Sequence, residues 1–112
     1  MTYALPVAEP GLILHQAFFW LKNPGSETDR KTLIAGLRTL GGIPQVRNLS
    51  ISVPAGTETR DVVDSSFDVV ETMLFANLAD QRDYQPHPIH AAFIESSAHL
   101  WDRVVVYDNL IV

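Results

Sequence analysis

Leu12-Ile13-Leu14-His15-Gln16-Ala17-Phe18-Phe19-Trp20-Leu21-Lys22 is the stretch on which the fold turns. It is dense in large apolar and aromatic residues, and Asn23-Pro24-Gly25 stops it, so it reads as a strand. Side chains alternate across a strand. One row holds Ile13, His15, Ala17, Phe19 and Leu21; the other holds Leu14, Gln16, Phe18, Trp20 and Lys22. Both rows are largely apolar, so both faces of the sheet that contains this strand need cover.

Outward from it, Ser26 can cap a helix with Asp29 three residues on, and Leu33, Ile34, Leu37 and Leu40 continue it over about 27–40. Gly41-Gly42 and Pro44 end it. Val46 to Val53 alternates as a second strand, with Arg47, Leu49, Ile51 and Val53 on one side. Pro54 to Asp64 is a polar loop, and Ser66 to Phe75 a third strand. Asn77 can cap a short helix through Asp83, and Pro88 suits the first turn of another that runs to about Ala98. Arg103 to Asp108, with three consecutive valines, is the last strand. The order β-α-β-β-α-β predicts an α+β ferredoxin-like sandwich: a four-stranded antiparallel sheet with helices on one face. Residues 1–11 read as an N-terminal arm and 12–112 as one domain.

Composition bounds the function. The chain has 112 residues, 46% apolar and 19% charged, with a net charge of −5 and no cysteine. Such a composition folds. Without a basic run, no nucleic-acid partner is expected. The missing cysteine excludes disulfides, thiolate metal sites and cysteine nucleophiles. No run of 18 apolar residues occurs and no targeting segment is visible, so no membrane span and a cytoplasmic location are expected. Glycine-rich dinucleotide and phosphate loops and a serine nucleophile elbow are absent, and no cofactor is expected.

Two helices cover one face of a small sheet. The other would expose Leu14, Phe18 and Trp20, joined by Val70 and Leu74 of the third strand. A monomer rarely leaves such a patch in water. A homodimer pairing the sheets through these residues is expected, in preference to cover by the arm.

Chemistry concentrates in Asp83-Tyr84-Gln85-Pro86-His87-Pro88-Ile89-His90. His87 and His90 are three residues apart and can lie near one another; His99 reads as solvated. A neutral imidazole can take a proton from carbon beside a carbonyl, and a tyrosine hydroxyl can donate to the oxyanion that develops. His90 as base and Tyr84 as donor are therefore the candidate catalytic pair. His15 could hold a carboxylate or phenol oxygen, with Ala17, Phe19, Leu21, Leu33, Leu37 and Trp101 as apolar walls. Met73, His87, Val104 and Val106 complete the candidate ligand set with Glu71. Glu71 shares a strand face with Phe67, Val69, Met73 and Phe75, so it must be paired, protonated or near water. Turned toward the helices, it could orient His15 or His90; a slip of one residue would put it in solvent. The bland reading is that His87 caps a helix, Tyr84 packs and His90 bonds backbone. Three histidines and Glu71 would make a metal-ligand set, but the spacing matches no zinc motif, and no metal is expected.

These residues resemble the stress-responsive dimeric α/β-barrel family. Its Tyr-x-x-His-Pro-x-His segment is filled by Tyr84, His87, Pro88 and His90. His15 ahead of Trp20-Leu21-Lys22, Ile43-Pro44, and Trp101 followed by Val104-Val105-Val106 and Asp108 also fit, over residues 12–110. The resemblance implies a ferredoxin-like fold whose dimer forms a barrel. Most members have no assigned activity. A plant polyketide cyclase in the family implies Tyr84 and His90 as a pair, with His15 nearby. The expected function is binding of a small apolar molecule between sheet and helices. The alternatives are a cofactor-independent cyclase, isomerase or lyase acting on a polyketide-like or aromatic substrate, and a structural stress protein with no ligand.

Overall fold

The computed structural model describes residues 9–112. Most of the expected arm therefore lies outside the described residues; Gly11 donates its N–H to the carbonyl of Ile111 at 2.8 Å. The elements are β1 (Ile13–Leu21), α1 (Glu27–Arg38), β2 (Arg47–Ser52), β3 (Val69–Phe75), α2 (Leu78–Tyr84), α3 (Pro88–Ser97) and β4 (Trp101–Leu110). The sheet runs β2-β3-β1-β4 with every neighbouring pair antiparallel, which is the expected ferredoxin-like arrangement.

Side chains satisfy the orphan N–H groups at the helix starts. Ser26 Oγ accepts from Asp29 N at 3.2 Å, Asn77 Oδ1 from Asp80 N at 2.8 Å, and His87 Nδ1 from Ile89 N at 3.1 Å. The first helix ends two residues earlier than expected, at Arg38, and its last turn tightens into a 3₁₀ segment, Thr39–Gly42. Gly36 lets α1 and α3 approach closely: a Cβ there would sit 2.8 Å from Ser97 Oγ and 3.2 Å from the Phe93 ring.

One face of the sheet meets the helices. Ile13, Ala17, Phe19 and Leu21 of β1 and Val69, Met73 and Phe75 of β3 are buried with Leu33, Leu37, Leu40 and Phe93. Each of these side chains larger than alanine contributes about 1.5–3 kcal/mol when fully buried.

Three local expectations need correction. The third strand begins at Val69, not Ser66. Asp68 stands in for the ladder there, accepting Leu21 N at 2.8 Å on its carboxylate while its own N–H donates to Phe19 O at 2.8 Å. Phe67 consequently packs edge-on against Phe18 of the opposite face, 5.1 Å between ring centroids, instead of sharing a face with Val69. In β2 the pairing slips between Arg47, opposite Leu74, and Ser50, opposite Thr72. Asn48 takes φ 51° there, a left-handed conformation that asparagine tolerates. Arg47 therefore falls on the face away from Ile51. β4 is longer than expected, and its pairing with β1 shifts between Trp20 and Leu21.

The outer face is less bare than two apolar rows suggest. Val70 and Leu74 are buried, Phe18 packs edge-on against Tyr107 as well as Phe67, and Trp20 Nε1 donates to Ser66 Oγ at 3.1 Å. The Arg103 guanidinium lies 4.3 Å from the centre of the Trp20 ring. The long β2–β3 connection, not foreseen as cover, supplies Ser66 and Phe67.

Candidate functional site

A cavity of about 220 Å³ opens between the helices and the β1–β4 side of the sheet. Its volume is that of roughly seven waters. β1 contributes His15, Ala17 and Phe19, and β3 contributes Glu71. Trp101, Val104 and Val106 come from β4, and Tyr84 and His90 from the helical segment. These nine are sequence-selected residues that the fold brings together.

Five others lie elsewhere. Leu21, Leu33, Leu37 and Met73 are sealed in the hydrophobic core and do not line the cavity. Leu21 and Met73 face the helices as strand alternation requires, and Leu33 and Leu37 of α1 are buried in the same core. His87 spends Nδ1 on the cap of α3. Gln85, Phe93 and Ile94 line the cavity and were not selected. Phe93 and Ile94 stand three and four residues after His90, on one helix face, so helical spacing could have found them. Asp108, which the resemblance matches but no chemical pattern singles out, lies on the strand row of Val104 and Val106, which turns it toward His15.

His15 sits in β1, flanked by β3 and β4, and is 4% exposed. Its Nε2 is 3.0 Å from Glu71 Oε1 and its Nδ1 is 2.6 Å from Asp108 Oδ1. Two carboxylate oxygens at these distances each need an N–H, so the ring is an imidazolium with both protons engaged. Burial alone would lower its pKa. The bonds to Glu71 and Asp108, and their negative charges, outweigh burial and raise it above the ordinary histidine value. The expectation that His15 holds a ligand oxygen is therefore corrected: neither ring nitrogen is free to do so. Glu71, 2% exposed, faces the helices and orients His15, one of the two roles considered for it.

Tyr84 is buried and lies edge-on to three rings: His90 at 4.7 Å and His15 at 5.9 Å between centroids, and Phe75, more tilted, at 5.1 Å. Burial, reinforced by the charges of Glu71 and Asp108, pushes its pKa up, so it remains a hydrogen-bond donor. His90 is half-buried. Burial pulls its pKa down, with the His15 charge acting the same way, against Glu71 and the Gln85 backbone. It is a neutral imidazole near neutral pH. The aromatic wall is made by Trp101, edge-on to Phe19 at 4.9 Å and stacked on Phe93 at 5.7 Å. Ile94, Val104 and Val106, 40%, 42% and 48% exposed, form an apolar rim on the open side.

Among the described residues, no three His, Asp or Glu side chains converge as a set able to hold a metal, and no helix is long and apolar enough to cross a membrane.

A four-stranded sheet with helices on one face and a polar cluster at the mouth of its core defines a ferredoxin-like α+β protein. Residues 13–110 match the family described as the stress responsive A/B barrel domain (Dabb), and the chain belongs to it. Comparison with curated proteins gave no match. Among solved structures, a Dabb family protein with a ferredoxin-like fold from Mesorhizobium loti is similar at 21% identity and TM-score 0.74, covering 91% of this chain and 98% of that one. A hydroxynitrile lyase from Passiflora edulis is similar at 21% identity and TM-score 0.76, covering 93% and 96%. A dimeric ferredoxin-like protein of unknown function from Thermobifida fusca is similar at 19% identity and TM-score 0.74, covering 98% and 100%.

Proposed function

We propose that this protein binds a small, largely apolar molecule bearing an oxygen function in the cavity, and performs acid–base chemistry on it without a cofactor. The observation that carries this reading is the buried His15 ring held between Glu71 and Asp108, at 3.0 and 2.6 Å, in a cavity that His90 and Tyr84 also line. Buried ion clusters are poor stabilisers, because desolvation offsets their attraction. Strongly perturbed groups gathered in a cleft are characteristic of reactive sites. His90 removes a proton from the carbon beside a carbonyl, and the electron pair moves to the carbonyl oxygen, which accepts a hydrogen bond from Tyr84. Glu71 favours the His90 imidazolium that forms, and that imidazolium balances the oxyanion beside it. The class is that of an isomerase, lyase or cyclase.

The test is exchange of the methyl protons of acetophenone for deuterium in D₂O, followed by proton NMR. Exchange accelerated by the protein and lost in His90→Ala supports the reading. Binding without exchange leaves a binding protein. A small hydroxynitrile is the second probe, chosen for the activity that names the Passiflora neighbour.

We infer further that the chain forms a homodimer through the outer sheet face, around Leu14, Phe18 and Trp20; Val70 and Leu74 of the same face are already buried within the single chain. Leu14, Phe18 and Trp20 keep part of their apolar surface in water in the single chain. The Thermobifida neighbour is described as dimeric.

A further inference from the structure

The charges around the cavity select what enters it. No lysine or arginine is among the described residues that line it. Its polar groups are His15, Glu71, Tyr84, Gln85 and His90, and Asp108 holds His15 from the β4 side. One imidazolium between two carboxylates sums to −1. His90 adds no charge while it waits as a base, and Tyr84 adds none as a phenol. An entering anion meets that negative sum inside apolar walls, where charges are weakly screened. The single cation offers it nothing, because both N–H groups are already given, at 3.0 Å to Glu71 and 2.6 Å to Asp108.

We propose that the cavity is specific for an uncharged carbonyl or alcohol compound and rejects carboxylate anions, because its net charge is negative and its only cation is fully engaged by Glu71 and Asp108. This rests on reading the cavity as a ligand site. It narrows the substrate class: an acid must arrive with its carboxyl group masked, as an ester or amide.

The experiment titrates the protein near neutral pH with acetophenone and with benzoate, which share a ring and differ in charge, using ligand-observed NMR. Benzoate is expected to bind about tenfold or more weakly, ~1.4 kcal/mol. Glu71→Gln and Asp108→Asn each remove one negative charge, so each should narrow the gap. Asp108 has a side chain 43% exposed, so its variant keeps the test alive if Glu71→Gln does not fold. Equal binding of the two probes to the parent protein overturns the proposal and leaves the ligand site standing. An unchanged gap in a folded variant also overturns it, since charge would not be the cause. Binding of neither probe at millimolar concentration overturns the ligand-site reading, and the proposal falls with it.

Discussion

Nδ1 of His15 lies 2.6 Å from Oδ1 of Asp108, and the two residues are direct cross-strand partners in the β1–β4 ladder. With Glu71 reaching in from β3, one imidazole joins side chains of three adjacent strands. The folded-state pKa of His15 is raised, so the stability it brings is fully present below the unfolded value of about 6.5 and is lost as pH rises through the folded value. Asp108→Asn should weaken this term, by about 1 kcal/mol given the exposure of Asp108. In thermal melts at several pH values, the gap between parent and variant should be largest on the acid side and close as pH rises. A pH-independent gap would contradict it.

The Glu71 pair is sealed more deeply, with both side chains at or below 5% exposure. Removing one partner strands a buried charge. His15→Leu should cost about 3 kcal/mol or more in denaturant unfolding. His15→Leu with Glu71→Leu should cost less than the single change, because no orphan charge remains. A double variant as unstable as the sum of the singles would deny the pairing.

His90 belongs to the chemistry more than to the fold. It is half-buried and its main aromatic partner is Tyr84, so His90→Ala should cost about 1 kcal/mol or less in stability. Accelerated deuterium exchange should fall on the order of 10²–10⁴-fold. Because burial lowers its pKa, the base form persists below the ordinary histidine range. Activity in the parent should therefore rise with pH through a midpoint below about 6.5. A large stability loss with exchange retained would make His90 structural.

On the outer face, Trp20→Lys puts a second cation beside Arg103 and removes an indole that now packs under its guanidinium. Sedimentation at micromolar concentration should give a monomer, or the variant should fail to fold. A folded Trp20→Lys dimer would contradict the proposed interface.

The element order and the inward row of β1 were legible because period-two alternation and the stops at Asn23-Pro24-Gly25 and Gly41-Gly42 are local. The entry to β3 and the slip in β2 were not. Asp68 and Asn48 act through a ladder partner that only the folded sheet supplies. At the site, alternation correctly grouped His15, Ala17 and Phe19. Neither strand alternation nor helical spacing tells cavity from core, which is why Leu21 and Met73 of the strands and Leu33 and Leu37 of α1 fell on the packed side. The Glu71–His15–Asp108 bridge pairs His15 with residues 56 and 93 positions away along the chain, separations no local pattern spans.

The account rests on a division of protons between two histidines, and ¹⁵N–¹H correlation spectra of the imidazole rings across about pH 5 to 9 read it directly. His15 should hold both ring protons above the ordinary histidine midpoint of about pH 6.5, while His90 gives one up below it. A His15 that loses a ring proton below that midpoint, or a His90 that stays charged above it, would contradict the assignment of cation and base.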